Sequence, residues 1–389
     1  MTFFLVSSII KVVLVFTVIL VGVALLTWLE RRVCAWMQDR LGPNRVGPFG
    51  LLQPAADGLK NIVKEETYPA TADSLTFILA PAVSFIPALL TFAVIPFGAP
   101  LHTKWGDVPL VVADLPVGFL YILAISSLGV YGIVLAGWSS NNKYALLGGL
   151  RASAQMISYE IAMGMSTVAV LLVVGNVSLS DVVARQQGSF FQWNVFPLSL
   201  AYFIFLVAAF AETNRVPFDL PEAEAELVAG YHAEYSAMKF SMFYIAEYSN
   251  MVTASALMAT LFFGGWDIPF THWDETGDPT VLKTLATAAI FFTKTFFFLF
   301  LYIWVRWTLP RFRYDQLMAL GWKVMLPLAL VYLTVVATAI WYLHDALGWP
   351  YDTRFSLAMF AVNLALAVPL FFVLDRGHLI SGTVRRRSA

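Results

Sequence analysis

Apolar residues run along this chain in long blocks instead of the short stripes of a soluble fold. Nine stretches stand out: 5–29, 75–96, 115–138, 157–175, 195–211, 241–264, 286–307, 324–343 and 355–374. A bilayer core about 30 Å thick takes roughly 20 helical residues to cross, so each stretch qualifies or nearly qualifies as a span. The fifth is short, and the fourth, sixth and seventh contain charged residues. In lipid a backbone polar group finds no solvent partner, so spans of this length are expected to be helices. The first run has no basic segment before it and exceeds a signal peptide's apolar core of about 7–15 residues, so it reads as a retained span. Pro81, Pro87 and Pro327 fall inside spans and predict kinks held by neighbouring helices.

The polar positions between the blocks predict orientation. Seventeen of the 24 Lys and Arg lie in the connections after spans 1, 3, 5 and 7 and in the C-terminal tail, against Lys104, Arg185, Lys283 and Arg354 on the other side. Basic loops stay cytoplasmic, which places the N-terminus outside and the C-terminus inside. The expected fold is therefore an all-α integral membrane protein, one polytopic domain over 1–389. It would be a bundle of about nine transmembrane helices with long cytoplasmic loops at 30–74 and 212–240. Those loops are rich in Leu, Val and Phe, which suits packing against helices or against another protein.

Composition agrees: 59% of residues are hydrophobic and 13% charged, about half the charged share of soluble domains. A net charge of -1 gives no footprint for nucleic acid. Cys34 is the single cysteine, so this chain alone supplies neither a disulfide nor the thiolates of an iron–sulfur cluster. There is no dinucleotide fingerprint, phosphate loop, HExxH or CxxC, and the five His have no metal-ligand spacing, so no metal site is expected.

Three features carry candidate chemistry. The segment ETNRVPFDLPEAEAELVAGYHAEY (212–235) concentrates Glu212, Asp219, Glu222, Glu224, Glu226 and Glu234 against Arg215 on an otherwise basic side. A helical turn from Pro221 would put Glu222 and Glu226 on one face, where partly desolvated like charges titrate as a coupled set. Glu160, Glu247 and Lys294 fall within spans, where a charge costs about 2.5–3.5 kcal/mol and usually faces the bundle interior. With Glu212 closing the fifth span, Glu160, Glu212 and Glu247 gather near one membrane face as a candidate proton relay. For Lys294 a buried ion pair is the competing reading. In the loop 27–66, GPNRVGPFG is a turn-rich break, and LLQPAADGLKNIVKE alternates as an interfacial helix does.

Four segments together carry a resemblance: ERRVCAWMQDRLGPNRVGPFGLLQPAADGLK, GGLRASAQMISYEIAMG, ETNRVPFDLPEAEAELVAGYHAEYSAMKF with the following FYIAEYSN, and RFRYDQLMALGWKVMLPLAL. They resemble the H subunit of bacterial NADH-quinone oxidoreductase, called subunit 1 in mitochondrial respiratory complex I, from about residue 20 to about 345. The resemblance implies a membrane subunit of the bacterial inner membrane that docks the peripheral-arm iron–sulfur and quinone-site subunits. It would border small membrane subunits and antiporter-like subunits as well as membrane lipid. It implies a quinone substrate, ubiquinone or menaquinone, with no FMN or cluster held by this chain, and coupling of quinone reduction to proton translocation.

Carried over, Glu30, Arg31, Asp57, Arg215, Phe218 and Asp219 match the quinone chamber, and Glu160, Glu212, Glu222, Glu224, Glu226 and Glu247 the proton relay. A further carboxylate that some members carry in span three is met here by Ser127 in SSLGVYG, and the ninth span is a departure from the usual eight. Related subunits of membrane-bound hydrogenases form the neighbouring alternative, disfavoured by the ETNRVPFDLPEAEAELVAGYHAEY run. A free-standing antiporter would need pseudo-symmetric halves and midplane charges instead.

Overall fold

The computed structural model describes residues 2–104, 106–220, 229–271, 273 and 280–375. Each of the nine apolar stretches lies on a helix. In chain order the longer helices are α1 (Thr2–Met37), α2 (Gln53–Val63), α3 (Ser74–Leu90), α4 (Gly118–Ser139), α5 (Lys143–Val174), α6 (Leu179–Gln186), α7 (Ser199–Glu212), α8 (Ala237–Phe262), α9 (Val281–Thr308), α10 (Tyr314–Ala346) and α11 (Thr353–Asp375). Among the described residues, seven helices are long and apolar enough to cross a membrane: α1, α3 with its following turn, α4, α5, α9, α10 and α11. The chain is thus a mostly helical, multi-pass membrane protein. The short hairpin of β1 (Leu101–Thr103) and β2 (Gly106–Val108) pairs Leu101 with Val108.

The other two stretches differ for physical reasons. α7 has 14 residues, about 21 Å, and is short of a bilayer core. α8 has 26 residues but mixes Ser, Thr, Asn and Glu247 into its sequence, and from Met251 onward it is buried on nearly every side. A helix with no exposed face is the centre of a bundle, where small polar side chains return their hydrogen bonds to the preceding turn. Ser255 and Thr260 donate to Met251 O and Ala256 O, both at 2.8 Å.

α1 shows the opposite pattern. Val15, Ile19, Val23, Leu26, Glu30, Val33 and Cys34 form one buried seam at 3–4-residue spacing, and the rest of the helix is largely open. α5 starts fourteen residues earlier than its apolar run, because Asn142 caps it by accepting from Tyr144 N at 3.0 Å. That first half carries Gly148, whose absent side chain lets the chain at Gly230 pass: a Cβ there would sit 2.7 Å from Gly230 Cα. Most of the connection between the third and fourth apolar stretches, 143–156, is therefore helix, and it supports the acidic segment. α10 contains π-type turns at Leu320–Met325 and Trp341–Ala346, the first just before Pro327, whose missing N–H interrupts the ladder.

α2 is a helix where the alternation after the GPNRVGPFG break predicts one. It buries no residue in the chain and exposes Leu59, Ile62 and Val63. Arg32 holds the break itself by donating to Pro43 O at 2.8 Å. The Phe-rich run of α9 turns Phe292, Phe296, Phe297, Phe300 and Trp304 outward, as expected of a lipid-facing surface, while Phe291 and Phe298 pack inward. The C-terminal helix α11 is held by Asn363, which is buried. Its amide donates to Pro197 O and Met359 O, and its oxygen accepts from Leu200 N and Tyr332 OH, at 2.8–3.1 Å.

Candidate functional site

Helix ends and one loop meet at a single pole of the bundle. α1 brings Glu30, α8 brings Tyr244, Glu247 and Tyr248, α9 brings Tyr302 and Arg306, and the loop after α7 brings Arg215. The loop is placed by Gln155 of α5, fully buried, whose amide donates to Ala211 O (2.7 Å), Phe218 O (2.8 Å) and Asn214 Oδ1 (3.1 Å). Asn214 takes the left-handed backbone that its short side chain tolerates, and the Val216–Pro217 bond is cis. Phe218 is buried between Tyr159 and Phe312, at ring distances of 5.5 and 5.4 Å.

The charges alternate along a chain. Glu247 Oε1 lies 2.8 Å from Arg215 Nε, Arg215 Nη1 lies 3.4 Å from Glu30 Oε1, and Arg306 Nη1 donates to the same Glu30 oxygen. Glu30 Oε2 accepts from Tyr248 OH, which also contacts Tyr244 OH at 2.9 Å, and the Arg215 guanidinium lies 4.2 Å from the Tyr248 ring centroid. Two carboxylates and two guanidiniums make this set neutral, the condition under which buried charges persist. Burial opposes the charge of Arg215, but Glu247, Tyr248 and Glu30 outweigh it and hold the guanidinium protonated well above its ordinary value.

A second group of acids adjoins the first. A small pocket of about 30 Å³ is lined by Glu212, Glu247, Ser84, Asn214 and Asn250 among others, and one ordered water takes about 10–15 Å³ of such space. Glu212 in turn feels the charge of Glu160 and has Ser126 beside it. Ser126 is thus the span-three hydroxyl beside Glu212; it also donates to its own helix at Leu123 O (3.1 Å), as its neighbour Ser127 does at Ala124 O (3.0 Å). Tyr302 stacks on Phe210 at 4.0 Å, with its hydroxyl buried.

The expected residues thus fall into groups. Glu30, Arg215 and Glu247 are joined directly, and Glu212 and Glu160 continue from Glu247. Arg31 and Asp57 form a separate, more exposed pair at 2.6 Å, with Gln53 also donating to Asp57 at 3.0 Å. Asp219 pairs with Arg311 at 2.8 Å. Glu222, Glu224 and Glu226 lie outside the described residues. Lys294 donates to three backbone carbonyls, Phe263, Gly265 and Asp267, at 2.6–3.0 Å and lies 4.1 Å from the Trp193 ring, remote from this pole. Sequence reasoning missed Arg306, Arg311, Gln155, Tyr248 and Tyr302. Arg306 carried a signal, a cation in the last turn of an apolar helix that needs a buried partner.

An apolar groove of about 430 Å³ opens beside the charged pole between α1, α8 and α9, lined by Gly22, Leu25, Leu29, Leu51, Val252 and Phe296 among others. Across the described residues no group of three His, Cys, Asp or Glu side chains has metal-binding geometry.

The pattern of the family described as NADH dehydrogenase matches residues 10–337. The chain belongs to that family. Its relatives include H subunits of NADH-quinone oxidoreductase from several bacteria. It is 53% identical to the one numbered 2 in Koribacter versatilis, over 86% of this chain and 97% of that one. It is 50% identical to the one numbered 1 in Cytophaga hutchinsonii, over 87% and 97%. It is 53% identical to the one numbered 1 in Geobacter metallireducens, over 84% and 94%. As a member of this family the chain is a component of an oxidoreductase complex. The family match ends within α10, so α11 and its Asn363 clasp lie beyond it.

Proposed function

We propose that this chain is the membrane subunit of a proton-translocating NADH:quinone oxidoreductase, crossing the bacterial inner membrane nine times with its N-terminus outside. It borders the quinone chamber where the peripheral-arm iron–sulfur subunits dock, and it couples quinone reduction to proton movement toward antiporter-like neighbours. The observation that carries this reading is the double membership of Glu247. One of its oxygens pairs with Arg215 in the Glu30 network, and the same side chain lines the pocket shared with Glu212.

The chemistry follows from that connection. Quinone takes two electrons, delivered from a partner's cluster, and two protons to become quinol. Negative charge arriving near Arg215 and Asp219 competes with Glu30 and Glu247 for the guanidiniums. A carboxylate that loses its cation gains a proton, because a lone buried charge costs far more than a neutral acid. Glu247 then exchanges protons with Glu212 through the pocket, and Glu212 with Glu160. The apolar groove beside α1 accepts the isoprenoid tail while the headgroup reaches the loop containing Phe218. Arg31 and Asp57, on α1 and α2 near the mouth, orient the polar headgroup on its way in. Glu222, Glu224 and Glu226 extend the relay at the chamber side.

The test is Glu212→Gln in the intact enzyme reconstituted into vesicles. The amide keeps shape and hydrogen bonding but cannot ionise. Quinone reduction coupled to proton uptake is expected to fall at least tenfold, a loss of about 1.4 kcal/mol of transition-state stabilisation. Full reduction with full pumping would remove Glu212 from the relay.

A further inference from the structure

We infer that α1 and α9 form a specific site for one anionic phospholipid in the leaflet opposite the charged pole, with Lys11 holding its phosphate. The inference rests on the chain crossing a membrane and is independent of quinone chemistry.

The helix sets the levels. Lys11 and Arg31 are twenty residues apart on α1, about 30 Å along the axis, which is the thickness of the hydrocarbon core. With Arg31 at one headgroup level, Lys11 stands at the other. Past Lys11, from Val6 on its outer side to Ile19 on its inner side, runs a second apolar groove of about 590 Å³, lined also by Ile10, Leu14, Phe97, Leu285 and Ala288. It ends near Ile19 and Phe92, eight residues beyond Lys11 along α1, or about 12 Å, close to the depth of one leaflet. There it meets the first groove, so the two together track the full thickness of the membrane in two leaflet-long sections.

The polar end is built for an anion. The Lys11 ammonium donates to Val111 O at 2.8 Å and reaches Pro109 O at 3.5 Å, which fixes it against the groove wall. Those carbonyls carry no net charge, and among the described residues no carboxylate pairs with it. Asp107 of the hairpin is engaged by His102. An apolar slot that runs about one leaflet's depth inward from a positioned ammonium, with no carboxylate paired to it among the described residues, fits an acyl chain and a phosphate on one molecule.

The test uses the intact enzyme purified in mild detergent, stripped of lipid and titrated separately with phosphatidylglycerol and phosphatidylcholine, with retained lipid counted by native mass spectrometry. Wild type is expected to retain phosphatidylglycerol about fivefold more tightly than Lys11→Gln, the effect of one basic residue at a lipid surface. Lys11→Arg is expected to restore retention, and Ala288→Trp, which fills the groove and keeps the cation, is expected to abolish it. Equal retention by wild type and Lys11→Gln, equal affinity for the two lipids, retention in Ala288→Trp, or quinone in place of phospholipid would each overturn the assignment.

Discussion

The two ends of the bundle solve one physical problem in two ways. Both bury polar groups in an apolar surrounding, where each must find a partner. At the pole of α1 and the α7–α8 loop, Arg215 and Arg306 are matched by Glu30 and Glu247. At the far end of α8, Lys294 is matched by the carbonyls of Phe263, Gly265 and Asp267, and Asn194 by Leu261 O at 2.8 Å. Backbone carbonyls do not titrate, and the buried carboxylate at that end, Asp267, accepts from Trp193 Nε1 at 2.6 Å. The other end joins two carboxylates and two guanidiniums in one network, so a proton gained by one acid changes the partners of the rest. The difference shows where the molecule is fixed and where it can change state.

The comparison breaks most visibly at Arg215. Arg215→Met leaves Glu30 sharing one cation and Glu247 without its guanidinium partner, and breaking a buried pair costs about 3–5 kcal/mol. The expected outcome is a large fall in the thermal stability of the purified enzyme, partly recovered at low pH as the stranded acids protonate. A loss of the same size at pH 5 and pH 8 would show that the network is held by packing and not by charge.

Lys294→Met tests the fixed end. It strips hydrogen bonds from three carbonyls, and an unmade buried hydrogen bond costs about 1–3 kcal/mol. The Tm is expected to drop by a similar amount at all pH values, with the ratio of proton uptake to quinone reduction unchanged. A pH-dependent loss, or a changed ratio, would make Lys294 part of the switchable system.

The smallest effect is expected at the strap between α2 and α3, where Glu66 receives Lys239 Nζ at 2.9 Å. That hydrogen bond outweighs slight desolvation and holds the Glu66 carboxyl below its ordinary 4.5. A depressed carboxyl contributes above its unfolded value and loses the contribution as pH falls through the folded one. Glu66→Gln should therefore lower Tm slightly at pH 7, on the scale of about 0–1 kcal/mol for a pair whose carboxylate is exposed though Lys239 is buried, and not at all near pH 3. An equal difference at both pH values would deny the ion pair its role.

Much of this was legible in the chain. Each apolar block fell on a helix, seven of them long and apolar enough to span, because lipid accepts only long apolar helices and their composition is written residue by residue. The acids at 160, 212 and 247 stood out for the same reason, as exceptions in apolar runs. Boundaries were less legible. The early start of α5 depends on the Asn142 cap and on Gly148 meeting Gly230, a contact 82 residues away in the chain. Lys294 read as a relay or ion-pair candidate, and only its position against the end of α8 brought it to the carbonyls of Phe263, Gly265 and Asp267.

The amino-acid order by itself determined the solvent, the helices, the family and the set of charged residues that had to be accommodated. Only the tertiary structure decided which charges meet. Glu30 and Arg31 are neighbours in sequence, yet a helix turns successive side chains about 100° apart. One therefore enters the buried network with Arg215 and Arg306, and the other faces Asp57 at the surface. The acidic run that begins at Glu212 is divided in the same way: Glu212 joins a pocket with Glu247, while Asp219 pairs with Arg311. Partner choice is a property of distance in space, which local sequence does not encode.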